Sequence, residues 1–440
     1  WKQAWKMTQL GRKITQAGHA KWRDIITDYM NNPTFKEFSL WAISDDNLHQ
    51  VEYVECLAFN QIVNLFDVVT EGLFTDSDAQ PVVDALALMT IQQIYEVCSD
   101  SLAIGLGKSR SHWHHNDYHR ERLLRIFNRG MRERIMKPDT SATDLLGGHR
   151  ADYNKISLFE QSMTMQKQRR TVEAFAKGDS ELAHNLEHAT YQTLITHIEA
   201  TAEMRRLMEG LSTYPLFIDG LHRRYQGVDN TLLHLKTTSK ERLDIGTDTM
   251  LIVPTLAYAT GIMYERAKPH AQTISTAMNE GILQALLDEA SALIRIFNDV
   301  GTWFVEAPDY EAIELLDTLV EVETDDNSLL TAISKVAKDD SRFSRLEKDI
   351  FFHEVNILLD GIRYNDSPDT PMDEKVAYLK EIMHEMRQLY KTSCEQYTLT
   401  RLRAQSLPTT EFLIPIHRTV QFHKHLYGAT FWNQTGEYNI

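Results

Sequence analysis

The chain has 440 residues, a formal net charge of −16, and only 19 glycines and 11 prolines. Such an acidic chain is not drawn to nucleic acid or anionic lipid by its general field, so an anionic ligand has to be captured by a local site. Sparse helix breakers favour an all-α chain, and the three scattered cysteines, Cys56, Cys98 and Cys394, lack metal-ligand spacing and fit reduced thiols.

No basic patch followed by an apolar run opens the chain, and no stretch approaches the length of a membrane span, so a soluble, cytoplasmic protein is expected, monomeric or homodimeric. Length alone suggests two or three domains. No linker is visible, however, and one structural unit is expected, with residues 1–50 as an N-terminal helical cover and 51–440 as the main helical domain.

The first predicted helix runs over about 14–30 with Ile25, Ile26 and Tyr29 on its apolar side, and ends at Asn31-Asn32-Pro33. A second runs from Val51 through Phe59, Ile62, Val63 and Phe66 to Asp67 and Glu71, two carboxylates one turn apart. Helices follow from Val82 through Ile94 and from Tyr118 to Ile135, the latter carrying Arg120, Arg122, Arg125, Arg129, Arg132 and Arg134 on what reads as a solvated basic face. The intervening Ser111-His112-Trp113-His114-His115 lacks the i,i+4 spacing of zinc enzymes and reads as a surface loop. Residues 140–152, with Gly147-Gly148, read as a loop without a phosphate-binding fingerprint.

Helices resume over 155–176, 181–208 and, broken, 213–246; an apolar helix over 250–264 carries Tyr258 and Tyr264. In the next helix Leu283, Leu286, Leu287, Ala290, Leu293, Ile294, Phe297 and Val300 form one buried face, and the helix is expected to continue to Pro308. Asn298, Thr302 and Glu306 then stand at steps of four and form a stripe beside that face. An amide oxygen, a hydroxyl and a carboxylate in one stripe suit Mg²⁺, which completes its octahedron with water and phosphate oxygens. Past Pro308 an acidic segment, 309–326, reads as an excursion, followed by helices over 342–363 and 373–404.

The string Asn298-Asp299-Val300-Gly301-Thr302-Trp303-Phe304-Val305-Glu306 resembles the second metal motif of class I terpene synthases, Asn-Asp-x-x-Ser/Thr-x-x-x-Glu. The resemblance implies a single large helical bundle of that type with extra helices, and three Mg²⁺ ions holding a prenyl diphosphate, with Asn298, Thr302 and Glu306 among the ligands. Phe66-Asp67-Val68-Val69-Thr70-Glu71 resembles a degenerate first motif that would make Asp67 and Glu71 metal ligands, although the family's paired aspartates are absent and Asp76, Asp78, Asp144 and Asp152 remain as substitutes.

Arg242 and Gly246 match the family's diphosphate-sensing arginine and the glycine four residues on; a guanidinium gives planar multi-point contact to phosphate, and the glycine would expose a carbonyl where the helix breaks. Phe431 to Tyr438 is similar to the C-terminal signature, in which Tyr438 would bond diphosphate. Glu437 takes the place of the family's arginine there, so Arg363-Tyr364 is the alternative contact; Val305 replaces a usual basic residue.

The implied reaction is metal-assisted ionisation of farnesyl diphosphate and cyclisation to a sesquiterpene hydrocarbon, as in the fungal cyclases that make humulene. Phe59, Phe66, Tyr258, Trp303 and Phe304 are the candidate aromatic walls for a carbocation. The alternatives are cyclisation of geranylgeranyl diphosphate and a non-catalytic helical scaffold.

Overall fold

Thr8 starts the first helix by accepting the Gly11 amide on its side-chain oxygen, and α1 (Gln9–Tyr29) then buries Ile14, Gly18, Trp22, Ile25 and Ile26 along one stripe. The computed structural model describes residues 7–75, 79–159, 165–233, 238–363 and 366–428. Every regular element among them is a helix. Tyr364, Tyr438 and the substitutes Asp76 and Asp78 lie outside the described residues.

Fourteen of the helices, in chain order, carry the residues that bear on function. After α1 come α2 (Phe59–Thr70), α3 (Gln80–Asp100), α4 (His115–Met136), α5 (Thr190–Met208), α6 (Tyr214–Thr231), α7 (Ser239–Asp248) and α8 (Ile252–Thr260). Then follow α9 (Ile282–Val300), α10 (Thr302–Glu306), α11 (Ser344–Phe351), α12 (Leu359–Arg363), α13 (Met372–Ala404) and α14 (Leu413–Leu426).

Helix α3 has Pro81 in its first turn and buries residues nearly all round, as a central helix must; α1, α2 and α5 pack against it. Helix α9 is central to a second group and packs against α7, α8, α11 and α13. Helix α14 lies against both α2 and α9 and so ties the groups together. One apolar cluster runs through both, from Ile14 and Trp22 to Leu293, Ile416 and Val420.

The structure departs from the sequence expectation at several places. The helix expected to reach Pro308 stops at Val300, because Gly301 takes φ 88° and ψ 141°, a conformation that glycine adopts without steric cost. The Thr302 amide then donates to the Tyr427 carbonyl at 3.0 Å, and α10 starts in a new direction. Asn298, Thr302 and Glu306 therefore do not form one stripe. Residues 140–152 are not a loop: Ser141 caps a short helix, Ala142–Leu146, followed by further helical turns through Tyr153, including Asp144 and Asp152.

The helix expected over 342–363 divides into α11 and α12. His353 has φ 48°, and the buried Asn356 accepts the Leu358 and Leu359 amides on Oδ1 at 2.9 and 3.0 Å, starting α12 anew. The arginine face of α4 is only partly solvated. Arg120 and Arg134 are buried, donating to the Ile104 carbonyl at 2.7 Å and to Glu199 at 2.8 Å.

Candidate functional site

The end of α9 is a densely paired ionic network. Asp299 is fully buried and its Oδ2 accepts from Arg295 Nη2 at 2.5 Å and from the Ile357 amide at 2.7 Å, while Oδ1 accepts from Asn298 Nδ2 at 2.9 Å. Burial pushes the Asp299 carboxyl up against the pull of Arg295. Asn298 Oδ1 accepts from Arg345 Nη2 at 3.0 Å, and Arg345 also donates to the Asn298 carbonyl. Thr302 Oγ1 donates to the Lys424 carbonyl at 2.7 Å. Glu306 Oε1 accepts from Tyr390 at 2.8 Å and meets Lys424 Nζ at 2.5 Å.

Oxygens so arranged do not fit Mg²⁺. The ion needs several oxygens converging on one point, yet these are spent on separate partners: Asn298 on Arg345, Thr302 on the Lys424 carbonyl, and Glu306 on Tyr390 and Lys424. Among the described residues no group of three or more His, Cys, Asp and Glu side chains converges as a metal site. Glu306→Ala should thus cost less than about 1 kcal/mol, as an exposed ion pair, and Asn298→Ala about 1–3 kcal/mol by stranding buried partners. Urea denaturation of both variants checks this, and Mg²⁺ binding that is lost in a folded Glu306→Ala protein would restore the metal role to that residue.

The other expected site residues are distributed around the molecule. Asp67 is fully buried and accepts the Thr8 amide on Oδ2 at 3.0 Å and the Thr8 hydroxyl on Oδ1, so it holds the start of α1. Glu71 caps the end of α2, its side chain exposed and its carbonyl held by Arg418 at 2.7 Å. Arg242 donates to the Ile357 carbonyl and to Ser239 Oγ, each at 2.9 Å, and so shares the Ile357 segment with Asp299. Gly246 lies inside α7 rather than at a break, and its carbonyl accepts from the Thr249 amide and hydroxyl at 3.1 and 2.7 Å instead of facing a cavity. A Cβ there would stand 2.8 Å from Ile357 and 3.1 Å from Arg295, which is a packing reason for glycine. Arg363 is held by the Glu354 carbonyl and Asp360 at 2.8 and 2.7 Å.

Of the aromatic candidates, Phe59 stacks on Trp22, Tyr258 donates to the Ala85 carbonyl, Phe304 packs edge-on to Phe343, and Trp303 lies under Arg342. Phe66 alone among these five lines the main apolar cavity.

That cavity, of about 220 Å³, lies between α2, α3, α8 and α14. Its walls are Ile62, Leu65, Phe66 and Val69 of α2, Leu86 and Val97 of α3, Met250 to Ile252, Leu256, Ala259 and Met263. Mostly apolar walls with a few convergent polar groups are the usual mark of a small-molecule site. Two clefts are larger, one of about 400 Å³ beside His184 and His188 and one of about 280 Å³ beside Asp309 and Arg387, but charged and polar side chains make up much of their walls.

No family model, curated protein or solved structure matches the chain.

The cavity's polar groups were not singled out from the sequence, although Gln93, Glu96 and Asp100 share one face of α3 by spacing. Glu96 is buried and accepts from Arg224 at 2.9 Å and Tyr225 at 2.7 Å, with His197 Nε2 at 3.1 Å. Burial would raise its carboxyl, but Arg224, His197 and these hydrogen bonds outweigh it and hold the group ionised. Arg224 Nη2 also donates to Asp100 Oδ1 at 2.7 Å; the Asp100 side chain is 53% exposed at the rim, and Oδ2 has no partner among the described residues. Gln93 Nε2 donates to Thr255 Oγ1 at 3.1 Å, and its amide oxygen has no partner among the described residues.

Two of the three wall hydroxyls are turned away, and the third, Thr255 Oγ1, accepts from Gln93. Thr70 and Thr419 donate to the carbonyls of Phe66 and Pro415 at 2.6 and 2.9 Å. His423 Nδ1 lies 2.8 Å from the Thr419 carbonyl, which can only accept, so Nδ1 carries the proton and Nε2 the lone pair. Burial pushes the His423 imidazole down to about 4 from 6.5, against that hydrogen bond. The unfolded chain therefore binds a proton at His423 that the folded chain refuses. Stability from this group is complete above 6.5 and falls as pH drops toward about 4, and Glu96, lowered from 4.5, adds its own loss below that. Urea midpoints measured across this range should fall with pH, and His423→Gln should flatten the upper part of the fall.

Proposed function

We propose that this cavity takes a prenyl diphosphate of farnesyl size, tail inward, and that the protein ionises and cyclises it to a sesquiterpene hydrocarbon of the humulene kind. The observation that carries the reading is the cavity itself: its walls are mostly apolar, it offers an aromatic face at Phe66, and the Thr70 and Thr419 hydroxyls are spent on backbone carbonyls. Its volume, about 220 Å³, is below the roughly 300–1,000 Å³ typical of ligand pockets and favours a C15 over a C20 chain.

Asp100 Oδ2 and the Gln93 amide oxygen are the oxygens this rim offers Mg²⁺, in keeping with an ion that takes one or two protein ligands plus phosphate and water. Bound there with a diphosphate, the ion would neutralise the leaving group. Arg224, anchored by Glu96, holds Asp100 in place at the mouth.

A second reading, an apolar-ligand carrier or scaffold without catalysis, is favoured by the internal pairing of Asn298, Thr302 and Glu306. Incubation with farnesyl diphosphate and Mg²⁺, with and without chelator, separates the two. A cyclase gives hydrocarbon only without chelator, and a carrier gives none in either tube. Asp100→Ala should lower diphosphate release in the first case.

A further inference from the structure

We propose that His423 is the catalytic base of the cavity, its Nε2 accepting the proton whose loss ends the reaction; this rests on the cyclisation reading above. The C–H bond beside the cationic carbon breaks, its electron pair becomes the second bond of the alkene, and the proton moves to Nε2. The imidazolium then passes that proton to water as product leaves.

Three observations converge on this residue. His423 lines the cavity from α14. Its Nδ1–H is fixed on the Thr419 carbonyl, one turn back along the same helix, which sets the tautomer and leaves Nε2 without a partner among the described residues. The other polar groups on the cavity wall are poorer acceptors: Thr70 and Thr419 are bound to backbone, Thr255 is a hydroxyl that already accepts from Gln93, Gln93 is an amide, and both oxygens of Glu96 are engaged by Arg224, Tyr225 and His197. Asp100 stands at the exposed mouth beside Arg224, where diphosphate rather than the hydrocarbon tail would lie. An imidazole that burial keeps unprotonated is weakly basic toward water, yet a carbocation is acidic enough to protonate it.

The test uses the full chain with farnesyl diphosphate and Mg²⁺, reading diphosphate release and product profile separately for wild type, His423→Phe and His423→Gln. Release is expected to stay within about threefold, while the share of the wild-type hydrocarbon falls by about tenfold or more in favour of alcohols or isomeric alkenes. A folded variant with the wild-type profile overturns the role of His423 alone. No diphosphate release by the wild type overturns the cyclase reading and this role with it. Should both variants misfold, the ¹⁵N resonances of His423 in wild type are read with bound farnesyl thiodiphosphate; a shift supports contact with the substrate, and unmoved resonances overturn it.

Discussion

Asp299→Ala is expected to lower the unfolding free energy by about 3–5 kcal/mol, the usual result of removing one partner of a buried ion pair. The carboxylate has zero exposure and three donors converge on it: Arg295 Nη2, the Ile357 amide and Asn298 Nδ2. Truncation leaves the Arg295 guanidinium, whose side chain is 8% exposed, without its counter-charge, and strands the Ile357 amide in the interior. The neighbouring Asp349 does not compensate, because Arg345 and Asn356 already engage it. Asp299→Asn, which keeps an acceptor but not the charge, should cost less. Denaturant midpoints of the two variants check the order, and equal stability of Asp299→Ala and wild type would mean that the network contributes nothing to the fold.

On the proposed cyclase function, Ala259→Trp is expected to cut product formation by about 100-fold or more while leaving a folded protein. Ala259 is a small, buried residue of α8 on the wall of the cavity. An indole there occupies space that the proposed substrate's tail would fill, and misplacing reacting groups by even about 1 Å can cost a hundredfold in rate. Part of the new side chain fills existing empty volume, so the stability cost should stay within the roughly 1–3 kcal/mol of an overpacked core. Hydrocarbon yield and thermal melting are the two readouts. A fully active variant would place the reaction outside this cavity.

Periodicity made the helices legible. The buried face of α9 was read correctly from Leu283 to Val300, because a 3.6-residue repeat of apolar side chains has few other ways to be buried. The same logic failed one residue later: a glycine tolerated inside a helix and a glycine that ends one look alike in sequence. What separates them here is the Tyr427 carbonyl, which takes the Thr302 amide from a helix more than a hundred residues away. Asp67 shows the same limit. Its spacing from Glu71 was visible, but its engagement by Thr8 was not.

The sequence by itself determined an all-helical chain, its main apolar faces and the absence of an attractive general field for anions. Those properties follow from local spacing and composition, which each segment carries on its own. Tertiary structure alone decided which oxygens are free. Asn298, Thr302, Glu306 and Asp67 are committed to partners distant in sequence, whereas Asp100 Oδ2 and His423 Nε2 have none among the described residues, beside a cavity that exists only where α2, α3, α8 and α14 meet. A polar side chain's chemistry depends on its neighbours, and long-range packing chooses them.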